Sequence, residues 1–122
     1  MEKVNGIGGV FFPAKDPAAL SRWYAEHLGI VPPPTSHGGS VWQQAGGPTA
    51  FAPMAADSGM FPPGSNLSIN FRVDDLDAMR AQLEAAGIPV EVDPEVYPIG
   101  RFASLADPEG NQIQLWEPQD PA

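Results

Sequence analysis

The sequence has no cysteine, few basic residues and no long apolar run. Without cysteine, neither a disulfide framework nor a thiolate metal site can form. No apolar stretch approaches the roughly 20 residues needed to cross a bilayer, so we expect no membrane partner. The segment Met1-Glu2-Lys3-Val4 is not a basic start followed by an apolar run, so a signal peptide is not expected. These absences predict a cytoplasmic protein.

Acidic side chains dominate the charge of the sequence. It contains 15 Asp and Glu against 6 Lys and Arg, which gives a formal net charge of −9. An acidic surface repels phosphate backbones, so nucleic acid is not expected as a partner. The same charge favours solubility, and it would also suit a cationic ligand.

Two helices have clear start and stop signals. The first begins at Asp16-Pro17, an N-cap followed by a proline at the first helical position, and it ends at Gly29. Its apolar stripe has helical spacing and consists of Leu20, Trp23, Tyr24, His27 and Leu28. The second helix begins at Asp74-Asp75 and ends at Gly87. Its stripe consists of Leu76, Met79, Leu83 and Ala86.

Strand-like segments lie on both sides of each predicted helix. Residues 4–12 precede the first helix, and residues 40–44 and 49–54 follow it as a hairpin. Residues 67–73, whose apolar side chains alternate with polar ones, precede the second helix. Three further segments follow it, at 90–92, 101–106 and 112–117. The order strand, helix and then about three strands therefore occurs twice.

This duplication predicts an α+β fold in a single domain that covers residues 1–122. Module one covers about residues 1–56, a linker covers about 57–65, and module two covers about 66–122. Neither half could cover its own sheet. We therefore expect two tandem βαβββ modules to form one curved mixed sheet around a cleft, with the helices outside.

The side chains on the cleft side of the predicted strands and loops are the candidate ligand-binding residues. They are Phe11, Trp42, Ser68, Asn70, Arg72, Tyr97, Arg101, Gln112, Gln114 and Trp116. The aromatic members could line a site for a flat or cationic ligand, or they could simply pack in the core. Arg72 and Arg101 could bind a carboxylate or phosphate, or each could pair with one of the chain's own acids.

Several motifs resemble those of the vicinal-oxygen-chelate (VOC) superfamily, which includes glyoxalases, bleomycin resistance proteins and extradiol dioxygenases. They are GGVFF at 8–12, WYAEHLGI at 23–30, NFRVDDL at 70–76, RFA at 101–103, DPEGN at 107–111 and LWEP at 115–118. The resemblance implies the fold described above and a homodimer. It also implies a divalent metal held by His, Gln or Glu, which would act as a Lewis acid on the substrate.

The positions that correspond to the superfamily's metal ligands do not carry good ligands in this sequence. They fall on Gly9, which has no side chain, on Ser68, whose neutral hydroxyl is a poor ligand, and on Gln114, which can coordinate but brings no charge. Between Glu26 and Asp57 there is no Asp or Glu, and beyond the helical His27 the one imidazole is His37. A catalytic site needs about three protein ligands. We therefore predict no metal, no cofactor and no catalytic residue.

Three functions remain open at this point. The first is a metal-independent protein that binds a small molecule in the cleft, as the resemblance to bleomycin resistance proteins implies. The second is a metal-dependent lyase, isomerase or dioxygenase with an unusual ligand set, such as His37, Gln114 and a group from another chain. The third is a scaffold whose cleft is filled by its own aromatic side chains. The first two predict a small-molecule partner, and the sequence does not identify it.

Overall fold

The computed structural model describes residues 1–32, 41–61, 63–65 and 67–119. In chain order the elements are α1 (Pro17–Leu28), β1 (Ile69–Arg72), α2 (Leu76–Ala85), β2 (Glu91–Val92), β3 (Gly100–Ala106) and β4 (Gln112–Pro118). This mixture of helices with an open sheet confirms the predicted α+β class. Neither helix is long and apolar enough to span a membrane, within the part of the chain that is described.

Both helices begin where the sequence predicts. The Asp16 side chain accepts a hydrogen bond of 3.1 Å from the Ala19 amide, and Asp75 accepts one of 3.0 Å from the Ala78 amide. Each bond satisfies an N–H group that has no partner inside its own helix. Helix α1 ends at Gly29, whose φ of 73° places it in the left-handed region that favours glycine.

The sheet is mixed, with the strand order β1-β4-β3-β2. Strand β1 is parallel to β4, and the other two pairs are antiparallel. Trp116 of β4 is the register partner of Arg72 on one side and of Phe102 on the other. With α2 between its first two strands, this half of the chain forms one complete βαβββ module.

Both helices pack on the same face of this sheet. The side chains with no exposed surface are Leu76 and Leu83 of α2 and Ile113 and Leu115 of β4. Leu20 and Tyr24 of α1 complete the same core, at 5% and 7% exposure. In the middle of both strands, Ala103 and Leu105 of β3 and Ile113 and Leu115 of β4 are buried in this way, so the residues that alternate with them lie on the opposite face.

Helix α1 is attached to the turn between β3 and β4 by buried polar contacts. The Tyr24 hydroxyl donates a hydrogen bond of 2.6 Å to Oδ2 of Asp107, a carboxylate that is only 5% exposed. The other donors to Asp107 belong to its own turn, namely the Glu109 amide and the Asn111 amide and side chain. Burial, followed by this hydrogen bond, raises the pKa of Tyr24. In return, Glu109 accepts hydrogen bonds from the Lys15 and Asp16 amides.

The strands predicted at 4–12, 40–44 and 49–54 are wrong for the parts of them that the structure describes. Residues 1–14 and 41–56 pair with no strand, and most of their side chains are exposed. The large apolar ones include Val4, Ile7, Val10, Phe11, Val41, Trp42, Phe51 and Met54. A strand pattern makes a stable strand only where a neighbouring edge supplies hydrogen bonds and burial, and these segments have neither. Residue 40 lies outside the described residues.

Candidate functional site

The face of the sheet opposite the helices carries polar and aromatic side chains instead of an apolar core. We call it the open face. It comprises Asn70 and Arg72 of β1, Phe102 and Ser104 of β3, and Gln112, Gln114 and Trp116 of β4. Five of these seven were predicted from the alternation of the strands. Phe102 and Ser104 were missed, although each alternates with the buried Ala103 and Leu105.

An aromatic row runs across one end of the open face. The rings of Phe102 and Trp116 are nearly parallel, at 4°, with centroids 6.1 Å apart. Tyr97 contacts the edge of Phe102 at 5.7 Å. Trp116 donates its indole N–H to the Ile99 carbonyl over 2.9 Å, which fixes the ring orientation. The row offers a flat apolar surface whose polar atoms already have partners, a surface that suits the stacking of a planar ring.

Tyr97 is held in place by its own hydroxyl group. The hydroxyl donates a hydrogen bond of 2.9 Å to the Asp93 carboxylate, and this bond is the main reason that the pKa of Tyr97 rises to about 12. The phenol therefore stays neutral at physiological pH. It donates a hydrogen bond to Asp93 and does not act as a base there.

Next to the aromatic row, the floor of the open face is formed by neutral polar groups. The Asn70 side-chain amide donates a hydrogen bond of 2.7 Å to Oε1 of Gln114, and Ser104 is the register partner of Gln114 on the other side. Two shallow depressions of about 300 and 320 Å³ adjoin this floor and share Ser104 and Gln114. Both depressions are open to solvent.

The two depressions have different walls. The first is bounded by Phe102 and by the acidic edge at Glu91 and Asp93. The second is bounded by Ser68, Gln112 and the segment at Gly59 and Met60. Residues 59 and 60 therefore lie against the open face although they belong to no strand. The predicted cleft residues Ser68, Gln112 and Gln114 are brought together in the second depression.

Arg72 lies at the same end of the open face as the aromatic row. Its Nη2 donates a hydrogen bond of 3.0 Å to the Ala45 carbonyl oxygen. The backbone at Gly47 is so close that a β-carbon there would overlap the guanidinium, so glycine is required while Arg72 keeps this position. Arg72 takes part in none of the ion pairs found among the described residues.

Three of the predicted site residues do not lie on the open face. Phe11 is 93% exposed, and its ring lies over Gly9. Trp42 is 39% exposed and belongs to an unpaired segment. Arg101 lies on the helix side of β3, where it donates two hydrogen bonds of 3.1 and 3.2 Å to Asp77 of α2. Its placement in the cleft is therefore wrong, because adjacent residues of a strand face opposite sides.

The pair of Arg101 and Asp77 is instead a link between the sheet and a helix. Hydrogen bonds and attraction from Arg101 hold the pKa of Asp77 below its usual value. The same contacts raise the pKa of Arg101. The sequence left two roles open for Arg101, and the structure has the second of them, an ion pair with one of the chain's own acids.

The residues at the superfamily's metal positions do not fit a divalent cation. A side chain at residue 9 would meet the Phe11 ring at 3.0 Å, and Oε1 of Gln114 already accepts a hydrogen bond from Asn70. Across the described ranges, no three His, Asp or Glu side chains are grouped closely enough to hold an ion. His37 lies outside those ranges.

Comparison with known proteins places this architecture in a family. None of the curated protein sequences matches the chain. Among solved structures, it is similar to TnmS3, an antibiotic binding protein from Streptomyces sp. CB03234, with 27% identity, coverage of 98% of this chain and 100% of that chain, and a TM-score of 0.63. It is also similar to a glyoxalase/bleomycin resistance protein from the same organism, with 29% identity, coverage of 86% and 94%, and a TM-score of 0.52.

A third structure supports the fold alone. It comes from the mobile metagenome of V. Pseudocholerae and is 19% identical, with coverage of 98% and 99% and a TM-score of 0.62. The family model described as "Glyoxalase-like domain" matches residues 9–116, which is most of the sequence. The chain therefore belongs to the glyoxalase-like family of the vicinal-oxygen-chelate superfamily.

Proposed function

We propose that this protein binds a small organic molecule with a flat aromatic part on the open face, and that it does so without a metal. The observation that carries the proposal is the aromatic row of Tyr97, Phe102 and Trp116 beside the amide pair of Asn70 and Gln114. A planar guest would stack on the row, and its polar groups would find donors and acceptors on the floor.

The similar structures support the same kind of function. One is named an antibiotic binding protein, and another is named a glyoxalase/bleomycin resistance protein. Both names describe those proteins, and binding of a compound by this chain is an inference from its own surface. No proton transfer or covalent step is proposed. The polar members of the open face are three side-chain amides, the Ser104 hydroxyl, the Trp116 indole N–H and the Arg72 guanidinium.

We also propose that the functional unit is a homodimer in the cytoplasm. Eight large apolar side chains at residues 4–11 and 41–54 are exposed, which is many for the surface of a monomer. A second copy would cover them and would give the open face an opposite wall. Size-exclusion chromatography with light scattering tests this point, and a monomer at micromolar concentration would contradict the dimer.

Stacking on the aromatic row is tested with the neutral fused-ring probe 2-naphthamide. Binding is followed by fluorescence in the wild type and in Trp116→Leu. Loss of one stacking partner should weaken binding by about 3- to 10-fold. Trp23→Phe is the matched control, because Trp23 lies in α1 and contacts Tyr24 and His27 instead of the open face. Equal effects of the two substitutions would contradict the proposed site.

Metal independence needs a separate measurement. Protein purified without added metal is analysed for its elements and then titrated with nickel and zinc. The proposal expects no stoichiometric metal and unchanged binding of the probe in the presence of a chelator. Stoichiometric metal that is lost in Gln114→Ala would instead support the metal-dependent enzyme that the sequence left open.

A further inference from the structure

Arg72 is a cation that the open face does not neutralise. A guanidinium has five N–H donors, and this one donates to the Ala45 carbonyl, a neutral acceptor. Among the described residues, the ion pairs involve His27, Arg80 and Arg101 and do not include Arg72. The side chain is also partly buried, so bulk water solvates it less than it solvates the exposed Arg80. Such a group gains strongly from an anionic partner.

The position of Arg72 relative to the aromatic row limits which partner could reach it. Arg72 is the register partner of Trp116, and Trp116 is the register partner of Phe102. Neighbouring strands are about 4.8 Å apart, so the cation stands one strand from the indole and two strands from the phenyl ring. A planar molecule stacked on these rings would bring a substituent at its edge within reach of the guanidinium.

The negative charge of the rest of the protein does not cancel the preference of Arg72 for an anionic partner. The chain as a whole carries −9, which would favour a cationic guest at long range. Salt screens such fields beyond about 8 Å at physiological ionic strength. Glu117 follows Trp116, the register partner of Arg72, and its carboxylate accepts a hydrogen bond from the Leu76 amide at the start of α2.

Resting on the function proposed above, we propose that Arg72 selects aromatic guests that carry a carboxylate. The carboxylate replaces the Ala45 carbonyl as the acceptor, and two parallel N–H···O bonds take the place of one. Because the backbone at Gly47 lies against the same guanidinium, this exchange also releases the segment of Ala45 to Gly47 from the open face.

The experiment compares two probes of the same shape, the anionic 2-naphthoate and the neutral 2-naphthamide. In the wild type, the carboxylate should bind about tenfold or more tightly than the amide, as expected for a bidentate charge-assisted contact. Arg72→Met should bring the two affinities to near equality by weakening the carboxylate. Arg72→Lys keeps the charge without the planar fork and should retain part of the preference. Arg80→Met is the control, because Arg80 pairs with Glu84 on the exposed side of α2.

The outcomes separate this inference from the function on which it rests. Equal binding of both probes by the wild type would leave the aromatic site intact and overturn the role of Arg72. A preference for 2-naphthoate that persists in Arg72→Met would also overturn the role of Arg72. If neither probe binds, the proposed function fails, and the selectivity fails with it. Circular dichroism and thermal unfolding of Arg72→Met and Arg72→Lys show that each folds before its affinities are compared.

The substitution Gly47→Ala tests whether the ligand's carboxylate replaces the Ala45 carbonyl as the acceptor for Arg72. The added β-carbon would overlap the guanidinium, the movable end of the Arg72 side chain, and so should separate Arg72 from the Ala45 carbonyl. Affinity for 2-naphthoate should then rise, while affinity for 2-naphthamide stays the same. In the Arg72→Met background the same substitution should have no effect on either probe. An unchanged or reduced affinity for the carboxylate in Gly47→Ala would overturn the exchange.

Discussion

Removal of the Tyr24 hydroxyl should cost the protein a large share of its stability while its shape is preserved. In Tyr24→Phe the ring stays in the core, and the only loss is the 2.6 Å bond to Asp107. A buried hydrogen bond to a charged group contributes about 1.5–3 kcal/mol. Asp107 keeps its three donors from Glu109 and Asn111, so it is not left unsatisfied. We therefore expect a loss within that range and not above it.

Urea unfolding, followed by tryptophan fluorescence at one fixed protein concentration, measures this loss. The midpoint should fall while the slope stays constant, because the surface exposed on unfolding does not change. Tyr97→Phe is the matched control. It removes the same atom from a bond to Asp93 at the rim of the sheet, and it should cost less. Equal losses in the two variants would refute the argument that burial makes the Tyr24 bond strong.

The same bond predicts a loss of stability at alkaline pH. The pKa of Tyr24 is raised in the folded state by burial and by Asp107. The stability linked to the neutral phenol is therefore complete below the unfolded pKa of about 10 and declines as the pH rises above it, by at most about 1.4 kcal/mol per pH unit. The chain has 2 tyrosines, so tyrosinate absorbance in Tyr97→Phe reports Tyr24 alone. Ionisation near pH 10 in the still-folded protein would contradict the buried bond.

Two further predictions concern the contacts around β3. Because Arg101 lowers the pKa of Asp77, the stability that their pair adds is present above the ordinary aspartate pKa and is lost as the pH falls through the lowered value. Asp77→Asn and Arg101→Met should each reduce the loss of stability in acid, and unchanged acid unfolding curves would show that the pair contributes nothing. Gly100→Ala should destabilise the fold by about 2 kcal/mol or more, since φ is 131° and a β-carbon would overlap the Glu117 carbonyl oxygen. Urea unfolding of Gly100→Ala tests this, and a loss below that of a surface substitution would contradict it.

The parts of the fold that depend on local chemistry could be predicted from the sequence. The starts of both helices follow from Asp16-Pro17 and Asp75, whose side chains bond to amides three residues later. The alternation of buried and half-buried residues in β4 likewise placed Gln114 and Trp116 on one face and Ile113 and Leu115 on the other. Such patterns are decided within a few residues of the chain, so one sequence is enough to read them.

The parts that depend on distant partners could not be predicted in the same way. Residues 4–12 have the composition of a strand, but a strand also requires a neighbouring edge, and no local signal shows whether that edge is available. Arg101 directly follows the loop at residues 97–100, where the sequence does not show which face of the sheet a side chain takes. Strand β3 begins at Gly100, and this start places Arg101 on the helix side. The contacts between Arg72 and Ala45 and between Tyr24 and Asp107 join residues far apart in sequence, so neither was foreseen.

The bond between Tyr24 and Asp107 also bears on how the protein forms during translation. The two residues are 83 positions apart, so α1 leaves the ribosome long before its acceptor has been made. At typical synthesis rates this interval lasts roughly 4 to 17 s. Throughout that time the apolar stripe of α1 has no sheet on which to pack. Docking of this helix must therefore be a late event in biogenesis, which follows the emergence of the final hairpin.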